Sequence, residues 1–210
     1  MGLFSPKVLE ETNSLVNGKI TVLKSFGFGI YIQVGDLTQS GGIVYDVWKE
    51  GLRKARKNLS QVQNVLILGL GGGTNAQVLR EFWPSTQVTG VDIDPVMVDL
   101  GRKYLGLKEV NTAIQDAFEF TSSAAAGGQR YELILIDTYL GDAFPEKFES
   151  DVFIKQIKKL LTPDGVAIFN RLYYGEKRPQ AMKFGAKLER FFSKVEYVFP
   201  EANLMLLCYN

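Results

Sequence analysis

The middle of the chain carries glycines and acids whose types and spacing suit the holding of a nucleoside beside a reacting centre. Gly69, Gly71, Gly72 and Gly73 follow the apolar run "NVLIL" and precede a helical pattern. Without a Cβ, glycine lets the backbone approach a ligand closely, and the N-terminus of the following helix offers N–H groups. Asp92, with Ile93 beside it, closes the next apolar run about twenty residues on, where a carboxylate can take both hydroxyls of a ribose. Asp116 follows the third run and can accept from an exocyclic adenine amine, and Ala117 leaves room for the ring. Asp137 ends the fourth run, "YELILI". An acid there can orient an amine or hydroxyl and accept its proton.

The acceptor side is read from nearby residues. Tyr139 and Trp48 could wall its pocket and face a cation, Asp142 could bind a cationic acceptor, and Asn170 and Tyr173 could line the same cleft. Each has a plain structural alternative. The glycines could be a tight strand–helix turn, Asp116 a helix cap, Asp137 a loop cap, Asp142 a turn residue, and the aromatics core. What favours the binding reading is the register of the glycines with Asp92 and Asp116 at successive strand ends.

These groups need a scaffold. From residue 64 the pattern alternates strand and helix: "NVLIL", a helix from Thr74 to Trp83, "QVTGV", a helix opened by Asp94-Pro95, "NTAI", a brief helix over "DAFEFTSSAAA", then "YELILI". A helix over "SDVFIKQIKKLL", a turn at "TPDG", a strand "GVAIFN" and a helix from Pro179 to Phe192 follow. The strands "KVEYVF" and "NLMLLCY" are joined by too few residues for a parallel crossover, so they pair antiparallel. Upstream, residues 19–34 read as a β-hairpin, "GDLTQSGG" as a loop and "IVYDVWKEGLRKARKN" as a helix. The expected fold is α/β: a doubly wound, Rossmann-like, mostly parallel seven-stranded sheet with an antiparallel last strand, preceded by a small β-hairpin. We divide the chain into a small N-terminal β region, 1–44, and a nucleoside-binding domain, 45–210.

Composition narrows the chemistry. The chain has 210 residues, 46% hydrophobic and 22% charged, with net charge +1, so a polyanion partner across the whole surface is not indicated. There is no histidine and one cysteine, Cys208, expected to be a buried, inert thiol in the last strand. Acid–base work falls to Asp, Glu, Tyr or Lys, and no metal is expected. No apolar run approaches a bilayer span and the start does not resemble a signal peptide, so no membrane partner and a cytoplasmic location are expected.

Two cofactor classes compete. Gly71-x-Gly73-x-x-Ala76 fits a dinucleotide fingerprint, but NAD prefers a second mononucleotide half and this chain ends in a hairpin. A nucleoside-type donor such as S-adenosylmethionine is the favoured reading.

The segments "VLILGLGGGTNAQVLRE", "VTGVDIDPVMVDLGRKYLG", "IQDAFEF" and "YELILIDTYLGD" resemble the spermidine synthase-like branch of the class I S-adenosylmethionine-dependent methyltransferases. "LTQSGGIVYDVWKEGL" resembles the segment where polyamine synthases place a glutamine and, nine residues later, an aromatic triplet; here these are Gln39 and Trp48-Lys49-Glu50. The resemblance implies S-adenosylmethionine or its decarboxylated form as donor, a small-molecule acceptor touching Gln39 and Trp48, and a homodimer.

The departures from that pattern bear on the reaction. Gly72 stands where the synthases carry an aspartate that holds the amine of the decarboxylated donor, and Leu140 replaces the second acid of their "DSSDP". A long Pro/Gly-rich tail that helps to hold the polyamine has no counterpart after the hairpin. The expectation is therefore methyl transfer to a small acceptor, with aminopropyl transfer and non-catalytic nucleoside binding as alternatives. "DTYL" is not the Asn/Asp-Pro-Pro-aromatic motif of nucleic-acid amino-methyltransferases, so no nucleic acid is expected.

Overall fold

A computed structural model describes residues 5–210. The chain opens with a four-stranded antiparallel meander, β1 (Lys7–Ser14), β2 (Gly18–Ser25), β3 (Gly29–Val34) and β4 (Leu37–Gly41), followed by α1 (Ile43–Ala55). The expected hairpin is its centre. The expected loop at "GDLTQSGG" is instead largely β4, which pairs with β3 around a bulge between Ile32 and Gln33. β1 was not anticipated. Its sequence, "KVLEETNS", is mostly polar, and it lies at the sheet edge with most side chains exposed or half-buried. Ile20, Val22 and Ile32 form the buried face of the meander, packed on Met97 and Leu100.

The second sheet has seven strands: β5 (Asn64–Leu68), β6 (Gln87–Asp92), β7 (Asn111–Ile114), β8 (Tyr131–Ile136), β9 (Leu161–Leu172), β10 (Lys194–Val198) and β11 (Asn203–Tyr209). Their spatial order is β10-β11-β9-β8-β5-β6-β7. The pairs among β5 to β9 are parallel, and β11 runs antiparallel between β9 and β10. The connecting helices are α2 (Thr74–Phe82), α3 (Pro95–Tyr104), α4 (Ala117–Ala126), α5 (Asp151–Leu160) and α6 (Lys177–Leu188). A short 3-10 helix, Glu146–Glu149, precedes α5. α6 begins two residues before the expected Pro179 and stops before Phe192.

Alternation along the central strands explains the two layers. Leu66, Leu68, Ile134 and Ile136 face Phe153, Ile154 and Ile157 of α5. Their neighbours Val65, Ile67, Leu133 and Leu135 face Trp48 and Leu52 of α1 and Val78 and Leu79 of α2. Both faces are covered, which is why these strands read as unbroken apolar runs. The expected "TPDG" turn is absorbed into β9 as an irregularity: Leu161 pairs with Tyr131 and Val166 with Leu133, and the register slips between them. Cys208 is fully buried in β11, and burial pushes its thiol well above the ordinary range. Among the described residues no helix is long and apolar enough to cross a membrane.

Candidate functional site

The carboxyl ends of β5 to β9 open onto a cavity of about 440 Å³, ordinary for a small-molecule site. Gly69, Gly71, Asp92, Ile93, Asp116, Ala117, Asp137, Tyr139, Gln39, Trp48 and Asn170 all stand on its wall. A doubly wound sheet is expected to place its ligand crevice at these strand ends.

Gly69 brings two of those tips together. Its φ is +83°, and a Cβ there would lie 2.2 Å from the carbonyl oxygen of Asp137, so only glycine lets β5 and β8 close this tightly. The loop's N–H groups are spent inside the protein rather than left for a ligand. Gly69 and Leu70 donate to the Val91 carbonyl, Gly73 to that of Leu70, Gly71 to Asp92 Oδ2 at 2.6 Å and Gly72 to Ser40 Oγ at 2.8 Å. The glycines therefore serve close approach and packing, and the N–H groups expected of the helix start are those of Thr74 and Asn75 at the head of α2.

Asp92 is 9% exposed; its second oxygen accepts from the Asp94 N–H, and burial raises its pKa. Next to it, Ile93 keeps 44% of its surface exposed on the cavity wall. Asp116 caps α4 by accepting from the Phe118 and Glu119 N–H groups, as its plain structural reading required. It also pairs with Lys147, which shares the cavity wall. Burial opposes its charge, but Lys147 and the capping N–H groups outweigh that and hold its pKa below the usual carboxylate value.

Asp137 sits at the tip of β8. Trp48 Nε1 donates to its Oδ2 at 3.1 Å and Asn170 Nδ2 to its Oδ1 at 2.9 Å. Burial drives its pKa up to about 6; the two donors pull down and the charge of Asp92 pushes up. That places a proton acceptor near the working pH of most cells. Tyr139 cannot share the role. Burial raises its pKa further above the ordinary phenol value, and its oxygen accepts from the Leu172 N–H at 2.7 Å while its ring packs edge-on against Phe144. Gln39 reaches across from β4 and donates to the Gly141 carbonyl at 3.0 Å.

Four expected site residues lie off the cavity wall. A Cβ on Gly72 would point at Leu105, Ser40 and Ile32, each at 2.9 to 3.0 Å, so this position faces packed side chains. Gly73, at the start of α2, faces Leu107 in the same way. Asp142 is exposed and paired with Lys177 at 2.8 Å, which lowers its pKa. Tyr173 packs at a tilt against Phe199 and is likewise not among the cavity residues, whereas Asn170 is. Sequence reasoning missed Ser40, Lys147 and Asn203. Lys147 and Asn203 bond to partners 31 and 33 residues away, separations that no local pattern signals.

A mostly parallel sheet covered by helices on both faces, with a crevice at its strand ends, defines a Rossmann-like α/β fold. Residues 52–201 match the family described as the spermine/spermidine synthase domain, and the chain belongs to that family. It is 32% identical over 131 residues to the polyamine aminopropyltransferase of Vibrio vulnificus, covering 59% of this chain and 44% of that protein. It is 26% identical over 156 residues to the human eEF1A lysine and N-terminal methyltransferase, covering 69% of this chain and 22% of that one. The chain thus spans less than half the length of these relatives, both of them transferases. A spermidine synthase solved with the transition-state analogue AdoDATO superposes with a TM-score of 0.76 at 14% identity, over 97% of this chain and 73% of that one, and shares the fold.

Proposed function

We propose that the chain binds S-adenosylmethionine at the tips of β5 to β7 and transfers its methyl group to the nitrogen of a small amine. The observation that carries this reading is Asp137: a carboxylate with a pKa of about 6 at the cavity wall, held by Trp48 and Asn170. The residues fit an adenosyl group. Asp92 retains acceptor capacity for ribose hydroxyls, Asp116 stands at the third tip with Ala117 beside it, and Ile93 offers an apolar face.

When bound, the donor supplies a methyl group on a cationic sulfur. The amine must be neutral to attack, so Asp137 takes its proton; the nitrogen lone pair forms the N–C bond as the C–S bond breaks toward sulfur. Trp48 and Asn170 keep the carboxylate pointed at the cavity. The cavity wall carries Asp36, Asp92, Asp116, Asp137 and Glu201 against Lys147 as its one cation among the described residues, a field that favours a cationic acceptor.

The same field favours a second reading, aminopropyl transfer from the decarboxylated donor, because Lys147 is already engaged with Asp116 and a methionine carboxylate would meet acids. Against it stands Gly72, where packing leaves no room for an acid to hold the donor's amine. Calorimetry with both donors, followed by mass spectrometry of a diamine panel, decides. A methylated amine supports the proposal; binding of the decarboxylated form alone would sink it.

A further inference from the structure

We propose that Asn203 is a positioning residue for the Asp137 carboxylate, acting through the side-chain amide of Asn170. The inference rests on the reading of Asp137 as the proton acceptor.

Asn203 opens β11, where its backbone N–H closes a turn onto the Pro200 carbonyl at 2.9 Å. The β9–β11 register pairs Asn203 with Leu172 and Met205 with Asn170, so Asn203 and Asn170 are diagonal neighbours on one face of the sheet. Asn203 Nδ2 donates to Asn170 Oδ1 at 2.8 Å, and Asn170 Nδ2 donates to Asp137 Oδ1 at 2.9 Å. A side-chain amide has one accepting end and one donating end. With its oxygen taken by the Asn203 NH₂, as in this structure, Asn170 presents its own NH₂ to Asp137. If the amide were reversed, its oxygen would face the carboxylate, and only a protonated Asp137 could bond to it. The two orientations thus match the two protonation states of the acid, and Asn203 selects the one that suits the anion. Asn170 is 5% exposed, which leaves little room for water to replace either bond.

The charged and titratable groups around Asp137 do not perform this selection. Asp92, from β6, pushes against its charge, as does burial. Tyr139, from its own loop, stays protonated, and Arg171, from β9, is directed to Glu149 at 2.6 Å and lies over the Phe144 ring. α1 contributes Trp48, whose indole N–H serves the other carboxylate oxygen.

That indole provides a readout that needs neither donor nor acceptor. The chain has two tryptophans, so the ¹H–¹⁵N indole signal of Trp48 can be assigned by Trp83→Phe and followed against pH. The wild-type signal should titrate with a midpoint near 6, and Asp137→Asn should abolish the titration. Asn203→Ala should raise the midpoint by about one pH unit through loss of the oriented donor. Asn203→Asp should raise it further, because a carboxylate there takes the Asn170 NH₂ and turns the amide oxygen to Asp137. An unchanged midpoint in both variants, or equal shifts in both, overturns the proposal. If Asn203→Asp does not fold, the alanine midpoint decides alone. A raised midpoint in a protein inactive on every amine would sink the proposed transfer and leave the positioning role standing. An unmoved midpoint in an active enzyme would do the reverse.

Discussion

Trp48 Nε1 donates to Asp137 Oδ2 across 3.1 Å, joining α1 to the tip of β8 through a fully buried indole. The bond helps a buried carboxylate to ionise but does not cancel the effect of burial, since its pKa remains at about 6 against an ordinary 3.8.

Stability should therefore depend on pH in an uncommon sense for an aspartate. The folded-state value lies above the unfolded one, so the acid's contribution is fully present below about pH 4 and is lost as pH rises through about 6. Asp137→Asn removes that loss. The gap corresponds to about 3 kcal/mol at most, and cavity water will reduce it. We expect the variant to be more stable than wild type above pH 6, by roughly 1–3 kcal/mol, and equal to it near pH 4, while transfer activity falls at least a hundredfold. Thermal unfolding at both pH values, beside a turnover assay, checks both halves.

Gly69→Ala should be severely destabilising, by about 3 kcal/mol or more, because the new methyl meets the Asp137 carbonyl. Gly18→Ala is the fitting control. Its φ is also positive, at +65°, but nothing lies within 4 Å of the added carbon, so only backbone strain of about 1 kcal/mol is expected. Urea unfolding of the two variants separates close approach from strain, and similar losses would contradict the packing described for β5 and β8.

Asp116→Asn should uncouple capping from binding. Asparagine caps a helix about as well as aspartate, so α4 should persist. The charge that pairs with Lys147, and to which the proposed donor binding assigns the adenine amine, is removed. Donor affinity should weaken about tenfold, with unfolding changed by less than about 1 kcal/mol. Calorimetry at constant pH is the measurement, and an unchanged affinity would assign Asp116 to capping alone.

Gly72→Asp should not convert the chain to a user of the decarboxylated donor. The added side chain begins 2.9 Å from Leu105 and Ser40, so we expect about 2 kcal/mol or more of destabilisation and weaker binding of either donor. A gain of affinity for the decarboxylated form would show that the side chain finds the cavity after all.

What the sequence could disclose follows from the range of the interactions. β5, β6 and β8 are covered on both faces, so their apolar runs stand out, and the acids at their tips can be counted from the strand ends. Asp94 signals its helix directly, through a cap to the Val96 N–H and a following proline. β1 and β4 are different. "KVLEETNS" and "LTQSG" have little apolar character and become strands because β2 and β3 offer them free edges. Gly72 has the residue type of a ligand-facing loop but the surroundings of a packing contact, and only the position of Leu105 separates the two. The partners of Asp116 and Asn170 come from loops and strand ends brought near by topology, which periodicity does not report.

β4 leaves one more mark on the molecule. Through Gln39 it holds the Gly141 carbonyl, through Ser40 the Gly72 amide, and through the Gly41 N–H the hydroxyl of Thr74 at the head of α2. The first anchor lies beyond β8 and the other two beside β5, so one short strand rivets together both banks of the crevice. A ligand that spreads those banks must stretch the rivet at Gln39, Ser40 and Gly41.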